Sequence, residues 1–408
     1  MPPISTSAVA IGLAIVIYVS VSAYKKLLLA AARRKMKLEH NCQPSHHHLT
    51  FMDPIFGLDR IYEALKAGKE KRSMEMMQNR YHKYGKTFTG KLMMVNFISS
   101  TEPENIKTVL STKFKDFGLW RRIDFLGKLL GHGIFTSDGE AWAHSRAMLR
   151  PNFAREQIAD LATFEGHVQE LFELIPADGS TVDLQDLFFR FTMDSATEFL
   201  FGQSVGMLRS RSASQRREAA GSVDRLSIGE GDDATAVTEN EGDKFAEAMS
   251  VAQSAGMTRL RLVALGRFYY SKKEDEAVRT VHNYVDRFVE EAVRYRQAAD
   301  LEKAAAEKEK GQYLFLHELA KATDDKLQLR SELLNVLLAG RDTTASLLSN
   351  MFFQIAKHPR IWEKLQAEVA YLNGAPPTYE QLRDLKYVKY CMNECKFEER
   401  RLIFWSNS

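Results

Sequence analysis

The sequence predicts a mainly α-helical protein with a small β-sheet, preceded by an N-terminal transmembrane helix. Three observations support this prediction: long apolar stretches of helical character, only 10 prolines in 408 residues, and an uncharged apolar run at the N-terminus. Hydrophobic residues make up 45% of the chain and charged residues 27%, as in an ordinary folded protein. A chain of this length can bury a sizeable core.

Charge and cysteine content narrow the possible classes of protein. The formal net charge of +3 is too close to balance to indicate a partner such as DNA or RNA, so we predict no nucleic acid partner. The three cysteines (Cys42, Cys391 and Cys395) are too few for a disulfide framework. They fit reduced surroundings that face the cytosol.

The N-terminal 24 residues predict a membrane anchor. Met1–Tyr24 carries no charge, and the run Ala8–Tyr24 approaches the length that crosses a bilayer. Lys25, Lys26 and Arg33–Lys35 follow, which predicts that the rest of the chain stays cytoplasmic. A cleaved signal peptide is the alternative, but its basic segment should precede the apolar run. We therefore expect a single-pass protein in contact with membrane lipid, at the endoplasmic reticulum and facing the cytosol.

Residues 25–50 are predicted to form a basic linker between the anchor and a globular domain that begins at Phe51. The linker contains the triplet His46–His48, which invites a metal-site interpretation. Three adjacent histidines cannot all face one ion without contortion, and no cluster of carboxylates or thiols surrounds them in the sequence. We therefore predict no metal site in this segment.

The first part of the domain predicts strands and then helices. Residues 84–101 alternate in polarity and are punctuated by Gly85 and Gly90, which indicates a small hairpin. Pro103 then begins a helix, because proline suits a first helical turn. Helical stretches dominate from about Asp138 to Phe201.

Residues 204–243 interrupt the helical pattern. The first half of this segment is basic and rich in serine, and the second half is acidic and rich in glycine. Its low apolar content cannot offset the entropy lost on ordering. We therefore predict a disordered insertion here.

The first motif with candidate functional residues is "GEAWAHSRAMLRPNF", which covers Gly139–Phe153. Trp142, Arg146 and Arg150 lie four residues apart, so on a helix they share one face. Two like charges at this spacing repel unless an anion lies between them, and an indole N–H beside guanidinium groups suits a carboxylate or phosphate. The alternative is a tryptophan packed on the core beside solvated arginines.

A second motif lies in a long apolar helix that we expect from about Ser331 to Pro359. Within it, Ala339 and Gly340 are small, and Gly340 costs up to about 1 kcal/mol relative to alanine. These two residues would leave a groove for a flat or small ligand. Asp342 and Thr343 follow as an acid and a hydroxyl that can relay protons. Alternatively, the acid faces solvent and the threonines bond back to the preceding turn.

Together these stretches resemble the haem-thiolate monooxygenases, the cytochromes P-450. In that family an A-G-x-D/E-T-T motif on the central helix lies over the haem, as "AGRDTT" does here, and an upstream W-x-x-x-R resembles "WAHSR". The stretches "GIFTSDGEAW", "HPRIWEKLQAEV" and "PTYEQLRDLKYVKYCMNEC" agree in order. The amino-acid sequence of these stretches is most similar to the microsomal fungal branch of the family, which oxidises alkanes and fatty acids.

The resemblance implies a role for each motif residue. Ala339 and Gly340 would make room for dioxygen, and Asp342 and Thr343 would be the catalytic pair that delivers protons. Trp142 and Arg146 would hold a propionate of the cofactor, haem b. The implied partners are an NADPH-dependent flavoprotein reductase and an apolar small-molecule substrate.

The resemblance ends after Cys395. Glu394 matches the glutamate of the family's E-x-x-R pair, but Phe397 stands where the arginine belongs. Residues 396–408 are predicted to be an unrelated tail, and no cysteine has the setting of the family's axial ligand. We therefore expect a P-450 fold over 51–395 that is incomplete at the C-terminus and, in this form, inactive. The alternative function is a membrane-tethered, non-catalytic interaction protein.

Overall fold

The computed structural model describes residues 6–42, 47–53, 56–70, 72–92, 95–119, 122–153, 161–212, 233–302 and 315–403. Within these ranges, the backbone alone is described at 6–12, 14–15, 162–163, 233–240, 298–302 and 396–403.

Helices make up most of this described chain. In chain order they are α1 (Thr6–Glu39), α2 (Leu58–Lys69), α3 (Ser73–Tyr84), α4 (Pro103–Lys107), α5 (Arg122–Leu130), α6 (Gly139–Leu149), α7 (Ala162–Glu173), α8 (Leu184–Phe201), α9 (Asp233–Arg261), α10 (Lys272–Glu302), α11 (Phe315–Ala322), α12 (Lys326–Lys357), α13 (Pro359–Val369), α14 (Tyr379–Asp384) and α15 (Lys386–Ile403). Short 3₁₀ or π turns follow α4, α6, α9 and α13. The prediction of a mainly helical fold is confirmed.

A two-stranded antiparallel sheet forms where the hairpin was predicted. Strands β1 (Thr87–Leu92) and β2 (Val95–Ser100) pair along their whole length. The predicted linker is wrong at its end, because the Leu49 N–H donates to the Thr89 carbonyl at 2.8 Å and Leu49 is 4% exposed. Its side chain packs with Tyr84 and Phe88, so these last linker residues belong to the domain.

The N-terminal helix α1 runs without interruption from the apolar segment into the basic one. Across the part of the chain that the structure describes, no helix is both long and apolar enough to span a membrane. Residues 1–5 lie outside the described chain, as do the side chains at 6–12, 14 and 15. The transmembrane helix is therefore not observed, and the membrane location stays a prediction.

The predicted disordered insertion is wrong at both of its ends. Residues 207–212 are helical, and α9 already begins at Asp233; residues 213–232, where the rest of that prediction falls, lie outside the described chain. Val205 and Leu208 are 4% and 0% exposed. A Cβ at Gly242 would lie 2.0 Å from the Val205 carbonyl oxygen, so glycine lets α9 approach this turn closely. These tertiary contacts order residues whose composition favours disorder.

The central helix α12 packs most extensively against α8 and also contacts α5, α10, α11, α13 and α15. It begins at Lys326, earlier than the predicted Ser331, because the Asp325 carboxylate accepts hydrogen bonds from the N–H groups of Leu327 and Gln328. It ends at Lys357, before Pro359 as predicted. One large core surrounds its first half, with buried side chains from α5, α6 and α8 to α12.

Candidate functional site

Helix α6 presents the first motif. The Arg146 guanidinium lies over the Trp142 ring at 5.5 Å, and the Trp142 ring meets the Phe114 ring at 5.2 Å. Arg150 follows at the start of the 3₁₀ turn that ends the helix. The predicted shared face is thus formed by an aromatic ring and two guanidinium groups.

A cavity of about 1210 Å³ opens between α6, α8 and α12. Most of its lining is apolar, and the polar side chains are two arginines, two threonines and a serine. The lining residues are Ile134, Phe135, Arg146, Leu149, Arg150, Pro151, Phe153, Phe164, Phe191, Thr192, Ser195, Ala196, Phe199, Leu200, Val336, Ala339, Gly340 and Thr344. The structure therefore brings Arg146 of the first motif to the same cavity as Ala339 and Gly340 of the second.

Gly340 opens the central helix toward the cavity. A Cβ added at this position would meet only the Ala196 Cβ within 4 Å, at an ordinary contact distance of 3.8 Å. Packing against the described protein therefore does not demand glycine at this position. The absent side chain instead leaves the cavity wall bare, which is the arrangement that the groove interpretation requires.

The acid and hydroxyl of the second motif do not line the cavity. Asp342 Oδ2 accepts a hydrogen bond from Gln253 Nε2 at 2.7 Å. The Thr343 hydroxyl donates to the Ala339 carbonyl at 2.7 Å, which is the back-bonding alternative, and its side chain is exposed. Thr344, the next residue, does line the cavity.

The arginine inside the second motif is buried beside the acid. Arg341 is 8% exposed, and its guanidinium donates to Gln253 Oε1 and to Ser250 Oγ, both at 3.3 Å. The guanidinium also lies 5.5 Å from the Phe189 ring. Burial lowers the pKa of Arg341, and the neighbouring Asp342 carboxylate opposes that shift. Arg341 therefore belongs to the contact between α9 and α12, away from the cavity.

Sequence reasoning missed the wall that α8 contributes. Phe191, Ser195 and Phe199 recur every four residues on one face of α8, and this periodicity was the available signal. Ser195 is 5% exposed, and its hydroxyl has no hydrogen-bond partner within the described chain. A buried hydroxyl without a partner costs free energy, so its position in the cavity wall favours contact with a ligand or water.

The two arginines make one part of the cavity suited to an anion. Among the described residues, no carboxylate forms an ion pair with Arg146 or Arg150. An anion between them would remove their mutual repulsion. By contrast, none of the three cysteines lines the cavity: Cys42 is exposed, Cys391 is partly buried and Cys395 is buried elsewhere on α15.

The fold and site define a helical domain with a mostly apolar cavity between its central helix and two arginine side chains. The chain belongs to the cytochrome P450 family, since the family model matches residues 57–395. The similarity stated from the motifs is therefore confirmed.

The chain is similar to several curated fungal proteins. It is 40% identical to cytochrome P450 monooxygenase himC of Aspergillus japonicus, over 97% of this chain and 66% of that protein. It is 39% identical to cytochrome P450 monooxygenase FPY7 of Fusarium mangiferae, over 90% and 66%. It is 42% identical to cytochrome P450 52A4 of Candida maltosa, over 74% and 54%. The chain thus spans about 54–66% of the length of these relatives.

Proposed function

We propose that the full-length protein is a haem-dependent monooxygenase that hydroxylates an aliphatic chain such as an alkane or a fatty acid. The observation that carries this proposal is the mostly apolar cavity that Arg146 and Gly340 line together. Family membership and the similarity to fungal monooxygenases support the reaction class. The resemblance of the motifs to the alkane- and fatty-acid-oxidising branch supports the substrate class.

The residues of the cavity fit haem b on two counts. Arg146 and Arg150, without carboxylate partners in the described chain, suit the two propionates, and Trp142 orients Arg146 through its ring face. Ala339 and Gly340 leave a bare wall against which a flat macrocycle can lie. None of the three cysteines, all of which are described, lines this cavity.

The protein would bind the substrate and supply protons. Haem, when bound, supplies the activation of dioxygen. The phenylalanine side chains of the cavity, including Phe191 and Phe199, would exclude water and contact an aliphatic chain. Asp342 would supply protons from the α9–α12 contact and Thr343 would pass them on, although both now bond to neighbouring groups.

The partners and the location are part of the same proposal. An NADPH-dependent flavoprotein reductase would supply electrons, as the family resemblance implies. The protein would reside at the endoplasmic reticulum membrane, an expectation that rests on the uncharged Met1–Tyr24 segment and the basic residues after it. A non-catalytic, membrane-tethered role is the second candidate, because no described cysteine lines the cavity.

The experiment measures substrate binding and turnover by protein made from the complete reading frame, with a reductase and NADPH. We expect a C12 alkane or fatty acid to shift the haem absorption and to be hydroxylated. Gly340→Leu should abolish both, because its side chain enters the cavity. Gly166→Leu is the matched control on α7, since a Cβ there meets nothing within 4 Å. No hydroxylation by the parent protein, or full activity in Gly340→Leu, would overturn the proposal.

A further inference from the structure

Helices α7 and α8 bring a histidine and three carboxylates together in a cluster that the proposed function does not use. His167 is 3% exposed and Asp194 is 0% exposed, while Glu170 and Glu198 are partly buried. One donor atom from each of His167, Glu170 and Asp194 lies within 4.8 Å of the other two. An imidazole and two carboxylates within this distance form a metal-ligand set.

Two of these groups each make a further polar contact through a second atom. The distance from His167 Nε2 to Glu198 Oε2 is 2.6 Å. Arg209 Nε donates to Glu170 Oε1 at 2.7 Å, which leaves Glu170 Oε2 toward the imidazole. A carboxylate on the far nitrogen of a histidine is the usual outer-shell partner of a metal-binding imidazole, because it fixes the tautomer and the ring orientation.

The third group, Asp194, is fixed by the backbone. Its two oxygens accept hydrogen bonds from the N–H groups of Met207 at 2.8 Å and Leu208 at 2.9 Å. A carboxylate has about four lone-pair sites, so each oxygen retains the capacity to bind a cation.

The near nitrogen of His167, Nδ1, lies 3.3 Å from Glu170 Oε2, so each ring nitrogen contacts a carboxylate. Bonds of about 2.0–2.1 Å to a tetrahedral zinc ion place adjacent ligand atoms about 3.3 Å apart. The distance from His167 Nδ1 to Glu170 Oε2 equals this spacing.

We propose that His167, Glu170 and Asp194 bind Zn²⁺, with Glu198 as the outer-shell carboxylate that orients the imidazole. The ion would join α7 and α8 to the helical segment 207–212, since Asp194 also holds the start of that segment. This assignment does not depend on the monooxygenase proposal, and none of these four residues lines the cavity.

The test is a calorimetric titration of the chelator-treated, tag-free chain with ZnCl₂. We expect one Zn²⁺ per chain that His167→Gln and Glu170→Gln each abolish, and an affinity about 10–100-fold lower in Glu198→Gln. Co²⁺ should give a d–d absorption spectrum that the His167→Gln variant lacks. Circular dichroism checks that each variant folds. If His167→Gln does not fold, Glu170→Gln still tests the site, because Glu170 is only partly buried.

Two controls separate this site from other histidines. Replacing His46–His48 with glutamine tests the surface triplet, and His317→Gln tests a histidine that stacks on Tyr295. Both controls should retain the Zn²⁺ site. The proposal is overturned if no stoichiometric Zn²⁺ binds. It is also overturned if the histidine triplet accounts for all binding.

Discussion

Gln253 Nε2 donates a hydrogen bond to Asp342 Oδ2 at 2.7 Å, and this bond joins α9 to the central helix α12. The same glutamine accepts a hydrogen bond from Arg341, so an acid, an amide and a guanidinium form one network. The acid that sequence reasoning assigned to proton delivery is therefore held from a neighbouring helix. Its carboxylate is partly exposed, at 37% of the side-chain surface, so water can reach it.

Asp342→Asn should slow turnover of the full-length enzyme with little loss of stability. The asparagine amide oxygen can still accept from Gln253, so the α9–α12 contact survives while the acid is lost. General acid–base groups typically contribute about 10²–10⁴-fold, and we expect a decrease of at least tenfold in kcat. Steady-state kinetics and urea unfolding of the same variant measure the two effects. An unchanged kcat would mean that Asp342 does not deliver protons and has only a structural role.

Arg146→Ala should weaken haem retention. A hydrogen bond to a charged group contributes about 1.5–3 kcal/mol, which corresponds to about a 10–150-fold change in affinity. Haem titration of full-length apoprotein measures this change. Arg294→Ala is the control, because Arg294 is exposed on α10 and bonds to the Glu290 carbonyl in its own helix. Equal affinity in Arg146→Ala and the parent protein would remove the anion-binding role.

Asp325→Ala should destabilise the chain by about 1 kcal/mol, because the first turn of α12 loses the side chain that caps it. The free energy of unfolding from urea titration measures the change. Asp324→Ala is the matched control, since Asp324 is the exposed neighbour of Asp325 and does not cap the helix. A loss of stability in Asp324→Ala as large as in Asp325→Ala would contradict the capping role.

Features that depend on neighbouring residues in the chain were predictable from the sequence, whereas features that depend on tertiary contacts were not. The hairpin and the helix that Pro103 begins were predictable because turn and first-turn residues act locally. Asp325 is also a residue type that caps helices, but the prediction followed the apolar pattern and therefore placed the start of α12 at Ser331. The order around Val205 could not be predicted, because it depends on how closely Gly242 of α9 approaches.

The same distinction applies to the site. Arg146 and Gly340 were found because unusual residues interrupt their helices. Ser195 was missed, because its importance depends on α8 packing opposite α12, and one sequence does not show which helices become neighbours. The position of Asp342 against Gln253 was missed for the same reason, since the two residues are far apart in the chain.

Glu332 should make stability depend on pH. This residue of α12 is 0% exposed and accepts a hydrogen bond from the Ile134 N–H at 3.1 Å. Burial raises the pKa of Glu332 above its ordinary value of 4.5, and the Ser145 hydroxyl and the Ile134 N–H oppose that shift. The folded state therefore holds the proton more tightly than the unfolded state, so protonation favours folding.

Glu332→Gln removes this titration. The stability of the parent chain relative to Glu332→Gln should be greatest below about pH 4.5 and should decrease as the pH rises through the raised pKa. Urea unfolding of both proteins across this pH range measures the difference. Glu104→Gln, on the exposed face of α4, is the control. A difference that does not change with pH, or that increases with pH, would contradict the assignment.

The most direct test of the central claim is the carbon-monoxide difference spectrum of the reduced protein made from the complete reading frame. We predict a thiolate-type band from that protein. The 408-residue chain alone should give no such band, because none of its described cysteines lines the cavity. The account is contradicted if the protein from the complete reading frame binds no haem. It is also contradicted if the 408-residue chain gives the thiolate band and a single cysteine-to-serine change, such as Cys395→Ser, abolishes it.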